Sequence, residues 1–387
     1  MRVSHRFACL ALISFPICLM LGAAFTRVSA QTGTPGTHPA AKKPTDTKPQ
    51  YKGIFEPVNY AEDVEFSDVW FVDGDTGWAV GAAKPSGNEE GGFIIKTTDG
   101  GKTWSLQMGD PHSATRGMGR LFFLDSKHGW ASQSGSKLLR TTDGENWEVA
   151  GDFHTGNTFV FVTPQKGFTL DGTIIKMTTD GGASWKPQYE CKAKVDVNGL
   201  PHEDACHLQA IAFATPTVGY AVSSEVSDKS SVVVKTTDGG NTWSVASFIP
   251  NSTGLDNSFG FKDESTGFVK TYQGKLMATF DGAGTWHGIP SEVPGGRPRI
   301  QFAGPTGWSM EGKAWIYSTD GGKHWVSRDI PFPTDVVTFS LGRSDRGYVV
   351  GSHGMVYRYR VVPVDYKVAH GIDAPVMPGN EDKNTHP

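Results

Sequence analysis

Three groups of residues have types and spacings that could do chemistry. The first is a set of aspartates, Asp99, Asp143, Asp180, Asp238, Asp281 and Asp320, each two residues after a Thr or Ser and four or five before a Trp. Carboxylates in such numbers suggest general acids, nucleophiles or calcium ligands. The second is a cluster between two cysteines: Cys191 and Cys206, with His202, Glu203, Asp204 and His207 beside them. Such a set could form a disulfide or bind zinc. The third is four arginines, Arg116, Arg120, Arg297 and Arg299, in a chain where residues 31–115 contain none. Guanidinium groups at that density suit the grip of acidic groups on a partner.

The elements around these residues decide between the readings. The aspartates belong to one motif that recurs almost verbatim: Thr97 to Trp104 (TTDGGKTW), Thr178 to Trp185 (TTDGGASW), Thr236 to Trp243 (TTDGGNTW) and Ser318 to Trp325 (STDGGKHW). Two copies deviate. Thr141 to Trp147 (TTDGENW) is one residue short, and Thr279 to Trp286 (TFDGAGTW) carries Ala283 in place of the second glycine. Before each copy stands a glycine followed by an aromatic, as in Gly77-Trp78, Gly129-Trp130, Gly167-Phe168, Gly219-Tyr220, Gly267-Phe268 and Gly307-Trp308. A seventh, Gly347-Tyr348, has no aspartate motif after it, and the glycines are 38 to 52 residues apart.

Each unit parses into four short strands separated by turn residues; in the first they are 69–72, 77–81, 93–97 and 103–107. Four short strands every forty-odd residues define the blades of a propeller. The fold class expected is therefore all-β, a seven-bladed β-propeller of four-stranded antiparallel blades over residues 54–368. Its ring closes either with 54–60 or with 361–368.

Within such a hairpin the aspartate accepts hydrogen bonds from its own turn, glycines supply positive φ, and the Trp folds over the turn. Asp99, Asp143, Asp180, Asp238, Asp281 and Asp320 are then scaffold, with Trp104, Trp147, Trp185, Trp243, Trp286 and Trp325 as their lids. Of the eleven Trp residues only Trp70 and Trp315 fall outside the repeat pattern.

Chain ends and bulk charge bound the setting. Arg2 and Arg6, the uncharged run from Phe7 to Phe25 and the small residues Val28-Ser29-Ala30 read as a secretory signal over 1–30, with an uncleaved membrane anchor as the alternative. Residues 31–53 are rich in Thr, Pro and Lys and read as a disordered linker, and 369–387 as a disordered tail. Loss of Arg2, Arg6 and Arg27 with the signal moves the formal net charge from −4 to −7, which disfavours a nucleic-acid partner. Cys9 and Cys18 leave too, so the remaining pair in a periplasmic or secreted chain reads as a disulfide. A zinc site on Cys191, Cys206 and His207 would match no standard finger or ribbon spacing. No cofactor or metal is called for.

The aspartate motif matches the bacterial neuraminidase repeat, or Asp-box, and its pairing with a Gly-Trp-Ala-Val-Gly-like strand resembles the photosystem II stability and assembly factor family over residues 64 to about 360. The resemblance implies an exported, non-enzymatic propeller that binds newly made membrane-protein subunits. Sialidases share the box, but the Phe/Tyr-Arg-Ile-Pro opening of that family is missing; Arg297-Pro298-Arg299-Ile300 has the wrong order.

Hairpin geometry puts the boxes on one rim and the loops 82–92, 109–119, 151–157, 187–207, 223–231, 251–256 and 290–299 on the other. Arg116, Arg120, Arg297 and Arg299 flank the innermost strands of the second and sixth units there, near the mouth of the central channel. The function expected is a monomeric scaffold for protein partners, envelope or membrane proteins, with a carbohydrate-active propeller enzyme as the alternative. Mass spectrometry of the non-reduced protein is expected to recover Cys191 and Cys206 in one linked peptide pair, and two free thiols would refute both the bond and the oxidising compartment.

Overall fold

Strand type follows from burial. The first strand of the first repeat, Glu65–Phe71, buries Phe66, Asp68, Val69 and Phe71, while the second, Gly77–Ala83 (GWAVGAA), is buried along nearly its whole length. A strand covered on both faces reads as a continuous apolar run, because neighbouring sheets pack against each side of it.

The computed structural model describes residues 50–83, 91–110, 117–134, 136–154, 158–197, 200–227, 230–250, 252, 255–271, 275–290 and 299–364. The expected signal, residues 31–49 of the linker, and the tail lie outside the described residues. Seven four-stranded antiparallel sheets and one two-stranded sheet are present. Blade one runs Glu65–Phe71, Gly77–Ala83, Gly91–Thr97 and Ser105–Gly109 from the channel outward, so each strand starts within a few residues of its expected place. Blades two to six occupy 118–152, 159–190, 208–249, 255–289 and 301–329, and blade seven takes its inner three strands from Val336–Arg343, Arg346–Gly351 and Val356–Pro363. The fold is the seven-bladed β-propeller that the repeats imply.

One repeated contact joins the blades. The aromatic after each repeat glycine stacks on a phenylalanine at the end of the next blade's innermost strand: Trp78 on Phe123, Trp130 on Phe161, Phe168 on Phe213, Tyr220 on Phe261, Phe268 on Phe302 and Tyr348 on Phe71, at 3.5 to 5.1 Å between centroids. The repeat glycine is required by this arrangement, since a Cβ on Gly77, Gly129, Gly167, Gly219, Gly267 or Gly307 would come within 3.0 Å of that same phenylalanine in its own blade. Each box Trp then meets the phenylalanine edge-on, as Trp104 does Phe71 and Trp147 does Phe123. The interface between blades six and seven differs. Leu341 replaces the phenylalanine, and Trp308 lies over Gly347 directly. Cations before three boxes lace neighbouring blades further, Lys96 Nζ reaching Gly144 O at 3.1 Å, Arg140 Nη1 reaching Asp180 O at 3.1 Å and Lys235 Nζ reaching Gly282 O at 3.0 Å.

The closing strand is Tyr51–Pro57, which pairs from Tyr51 opposite Pro363 to Pro57 opposite Tyr357. It corrects the linker boundary, since residues 51–53 are part of the propeller, and it excludes 361–368 as the fourth strand because Val361 to Pro363 already complete the third. Two side chains hold it. Phe55 inserts among Trp308, Trp315, Phe332 and Tyr359 at 5.2 to 5.8 Å, and Glu56 accepts from Arg360 Nε at 2.7 Å, Arg360 Nη2 at 2.6 Å and Arg358 Nη2 at 3.3 Å.

The segment 187–207 is not a loop. Its first residues end the outer strand of blade three, Lys186–Glu190, and the rest forms a hairpin of Lys192–Val197 with Leu200–Ala205, clamped at its base by a Cys191–Cys206 disulfide. The hairpin lays Ala193 and Val195 against the core of blades three and four.

Phe55→Ala is expected to lower unfolding free energy by about 3 kcal/mol, the cost of emptying an aromatic pocket. Urea denaturation measures it, with hydrogen exchange rising first in Val356–Pro363; an unchanged midpoint would contradict closure by this strand.

Candidate functional site

The box aspartates are consumed locally. Asp99 accepts from Thr103 N at 2.9 Å, Thr103 Oγ1 at 2.7 Å and Thr97 Oγ1 at 2.9 Å, and Thr97 Oγ1 in turn accepts from Gly101 N. The same network recurs at Asp180, Asp238 and Asp281, where Ala283 takes the second glycine's place at φ 70°. The shortened box closes with Glu145 N and Asn146 N on Asp143 instead, and Asp320 accepts from Lys323 N and His324 N. The Thr242 hydroxyl and then its amide hold the Asp238 carboxyl down at about 2, and Thr285 does the same for Asp281. These groups are anionic turn locks, each satisfied by its own hairpin.

The chemistry left free lies in the central channel. Two connected cavities run along it, about 940 Å³ at the variable-loop end and about 570 Å³ at the Asp-box end, sharing Trp70, Phe261, Ile300 and Gln301 at the waist. The larger cavity holds Asp68, Arg120 and Arg299. Asp68 sits mid-strand in blade one and is 4% exposed. Four donors converge on it: Val69 N and Leu121 N at 2.9 Å each, and Arg299 through Nη1 at 3.2 Å and Nη2 at 3.3 Å. Arg299 comes from the start of blade six, so this fork spans the channel, and its Nη1 also reaches Phe339 O of blade seven at 3.3 Å. Its guanidinium carbon lies 5.2 Å from the Trp70 ring centroid.

Arg120 has no such arrangement. Its backbone N donates to Ser132 Oγ at 2.8 Å, but its side chain makes no hydrogen bond or ion pair among the described residues, and its Nε is sealed from solvent without an acceptor. Burial, then the neighbouring Arg299 charge, pull the guanidinium down to about 10 against the opposing pull of Asp68, which leaves it cationic at neutral pH. Two guanidinium groups thus feel the charge of one buried carboxylate, and Arg299 is the one bonded to it.

The other expected site residues are elsewhere. Arg116 and Arg297 lie outside the described residues. His202 is exposed and pairs with Asp204 at 3.0 Å; Glu203 and His207 are exposed as well, and none of the four lines the channel. The cysteines are bonded to each other, so they are not thiolate ligands. Among the described residues no three potential metal ligands gather. Asp68 was not singled out from the sequence, although an acid within the apolar alternation of Glu65–Phe71 was a legible signal; Trp70 stood out only as a Trp beyond the repeat pattern.

Fold and boxes together define an Asp-box seven-bladed β-propeller. The solved structure of YCF48 from Cyanidioschyzon merolae matches it at 18% identity and a TM-score of 0.56, covering 79% of this chain and 98% of that one. That of YCF48 bound to D1 peptide matches at 18% and 0.54 over 82% and 98%. The GH74 xyloglucanase of Xanthomonas campestris matches at 13% and 0.51 over 79% of this chain and 53% of its own. At these identities the likeness is one of fold. No family model and no curated protein sequence matches the chain.

The depressed box carboxyls make acid stability a test of the turn locks. Asp238 and Asp281 ionise near 2 in the folded chain against an ordinary 3.8, so their contribution is whole above about pH 4 and is lost as pH falls toward 2. Melting temperature is expected to fall steeply across that window, and less steeply in Asp281→Asn; a flat profile down to pH 2 would contradict the assignment.

Proposed function

We propose that this protein is an exported, non-catalytic propeller that binds protein partners at the variable-loop mouth of its channel, as an assembly or stability factor for an envelope or membrane complex. The observation that carries the reading is the Arg120 guanidinium at that mouth, which has no acceptor among the described residues while its neighbour Arg299 is forked onto Asp68. An unpaired guanidinium suits acidic groups delivered by a partner, with steering that weakens as salt rises.

Glycoside hydrolysis needs two carboxyl groups free to act as acid and as base or nucleophile. The acids along the larger cavity are Glu65 and Asp68, and Asp68 already accepts four donors. Likeness to the peptide-bound YCF48 structure supports the binding reading, and likeness to the xyloglucanase supplies no carboxylate pair here.

The mature chain, cross-linked in envelope extracts, is expected to retain a defined set of partners at about 50 mM salt and to release most of them at about 500 mM, by which point surface charge is strongly screened. Arg120→Glu is expected to weaken retention tenfold or more. A parallel glycan hydrolysis screen should show no turnover; robust turnover abolished by one Asp or Glu substitution at the channel mouth would overturn the proposal.

A further inference from the structure

We infer that the ring has a built-in seam between blades five and six, where it parts ahead of the other junctions, with Lys270 and Glu311 as the latch. The seam is a property of the ring and is independent of any partner bound at its mouth.

Much of the ring is stitched. From blade six round to blade two, a side chain of each innermost strand accepts a backbone N–H of the next: Gln301 Oε1 from Leu341 N, Ser340 Oγ from Phe71 N and Asp68 Oδ2 from Leu121 N, at 2.8 to 2.9 Å. Arg299 straps the same arc, bonded to Phe339 O of blade seven and to Asp68 of blade one. From blade two to blade five the ties lie at the stacking rings and the corners. Trp130 Nε1 donates to Gly181 O at 3.0 Å and the Tyr220 hydroxyl to Glu264 O at 2.6 Å. Between blades three and four, Lys166 Nζ and Gln188 Nε2 both hold Asn241, at 3.0 and 2.6 Å.

Blades five and six are joined differently. Of the six stacks between blades, Phe268 on Phe302 is the widest, at 5.1 Å, and a phenyl ring has no N–H or hydroxyl to offer the next blade. Two residues further along the same strand stands Lys270, on the face turned to blade six. The same position is buried and apolar in five other blades, as Val80, Leu170, Val222, Met310 and Val350, and is Ser132 in blade two. Lys270 is 1% exposed, opposite Leu276 in the ladder and beside the apolar cluster of Phe268, Ile300 and Ile316. Its Nζ meets Glu311 Oε2 of blade six at 3.1 Å.

A buried ion pair recovers in Coulomb attraction little more than its two charges lose on leaving water, whereas apolar side chains filling the same volume add net stability. A junction held by such a pair and by the widest stack is therefore the first to part. The channel lies directly behind it. A Cβ on Gly260 of blade five would stand 3.1 Å from Ile300 O of blade six, and both residues line the larger cavity. Parting at this junction opens that cavity sideways, next to Arg299, while the stitched arc from blade six to blade two moves as one body.

Hydrogen exchange of the full chain, followed by mass spectrometry, tests the seam. Protection is expected to be roughly tenfold or more lower in 267–271 and 306–311 than in the matching strands 129–133 and 346–351 of blades two and seven. Replacing the latch by apolar side chains, Lys270→Met together with Glu311→Leu, is expected to restore protection in the first two segments and to raise the melting temperature by about 2 °C or more. Glu311→Leu alone, which leaves Lys270 buried without that counter-charge, is expected to lower the melting temperature and to speed exchange in the same segments. Equal protection at the seam and in the matching strands of the wild type overturns the seam, a result that requires no variant to fold. A double variant that melts below the wild type, or whose seam exchanges as fast as before, overturns the latch.

Discussion

Everything in this molecule depends on an aromatic ring of one blade lying flat on an aromatic ring of the next. The stack is repeated from Trp78 on Phe123 round to Tyr348 on Phe71, and the last of these joins blade seven back to blade one. Three sequence features serve it. The repeat glycine makes room for the phenylalanine, the phenylalanine receives the ring of the preceding blade, and the box Trp covers its edge. Offset stacking adds a directional increment to the burial of large rings, so the contact sets the angle between blades as well as holding them. Where the phenylalanine is missing, at Leu341, Trp308 moves onto the glycine itself, and Phe55 of the closing strand packs beside it.

A ring built this way has little use for its aspartates beyond the hairpin corners, and that frees the interpretation of its acids. The repeated carboxylates are satisfied within five residues of chain, while Asp68 on the channel wall is satisfied from blades one, two and six together. This cross-channel tie does for the mouth what the stacks do for the rim: it fixes Arg299 and Trp70 in place. Among the described residues of the mouth, the Arg120 guanidinium is left without an acceptor. The functional asymmetry of an otherwise repetitive ring therefore reduces to one guanidinium without a partner, placed on a rigid inner strand.

The disulfide hairpin is a second departure from the repeat, and it is structural in its described parts. Cys191 and Cys206 close its base, its inner residues extend the core of blades three and four, and its histidines are exposed and line neither channel cavity. Spacing brought His202, Glu203, Asp204 and His207 together in sequence. The pleat of the hairpin keeps His202 and Asp204 on one face, where they pair, and turns Glu203 to the other, because neighbouring residues on a strand point to opposite faces.

What the sequence determined by itself was whatever repeats or acts within a few residues. The count of seven blades, the four-strand unit and the box hairpins with their locked aspartates all follow from short-range spacing, since turn chemistry and strand alternation are local properties, whereas the Cys191–Cys206 pairing is read from the cysteine count. Tertiary structure decided the relations between positions far apart in the chain. That Tyr51–Pro57 closes the ring, that Asp68 meets Arg299 across 231 residues, and that Arg120 Nε finds no acceptor among the described residues depend on how blades face each other across a channel. No period of the repeat encodes those meetings, because each involves a residue that departs from the repeat and is brought to its partner only by closure of the ring.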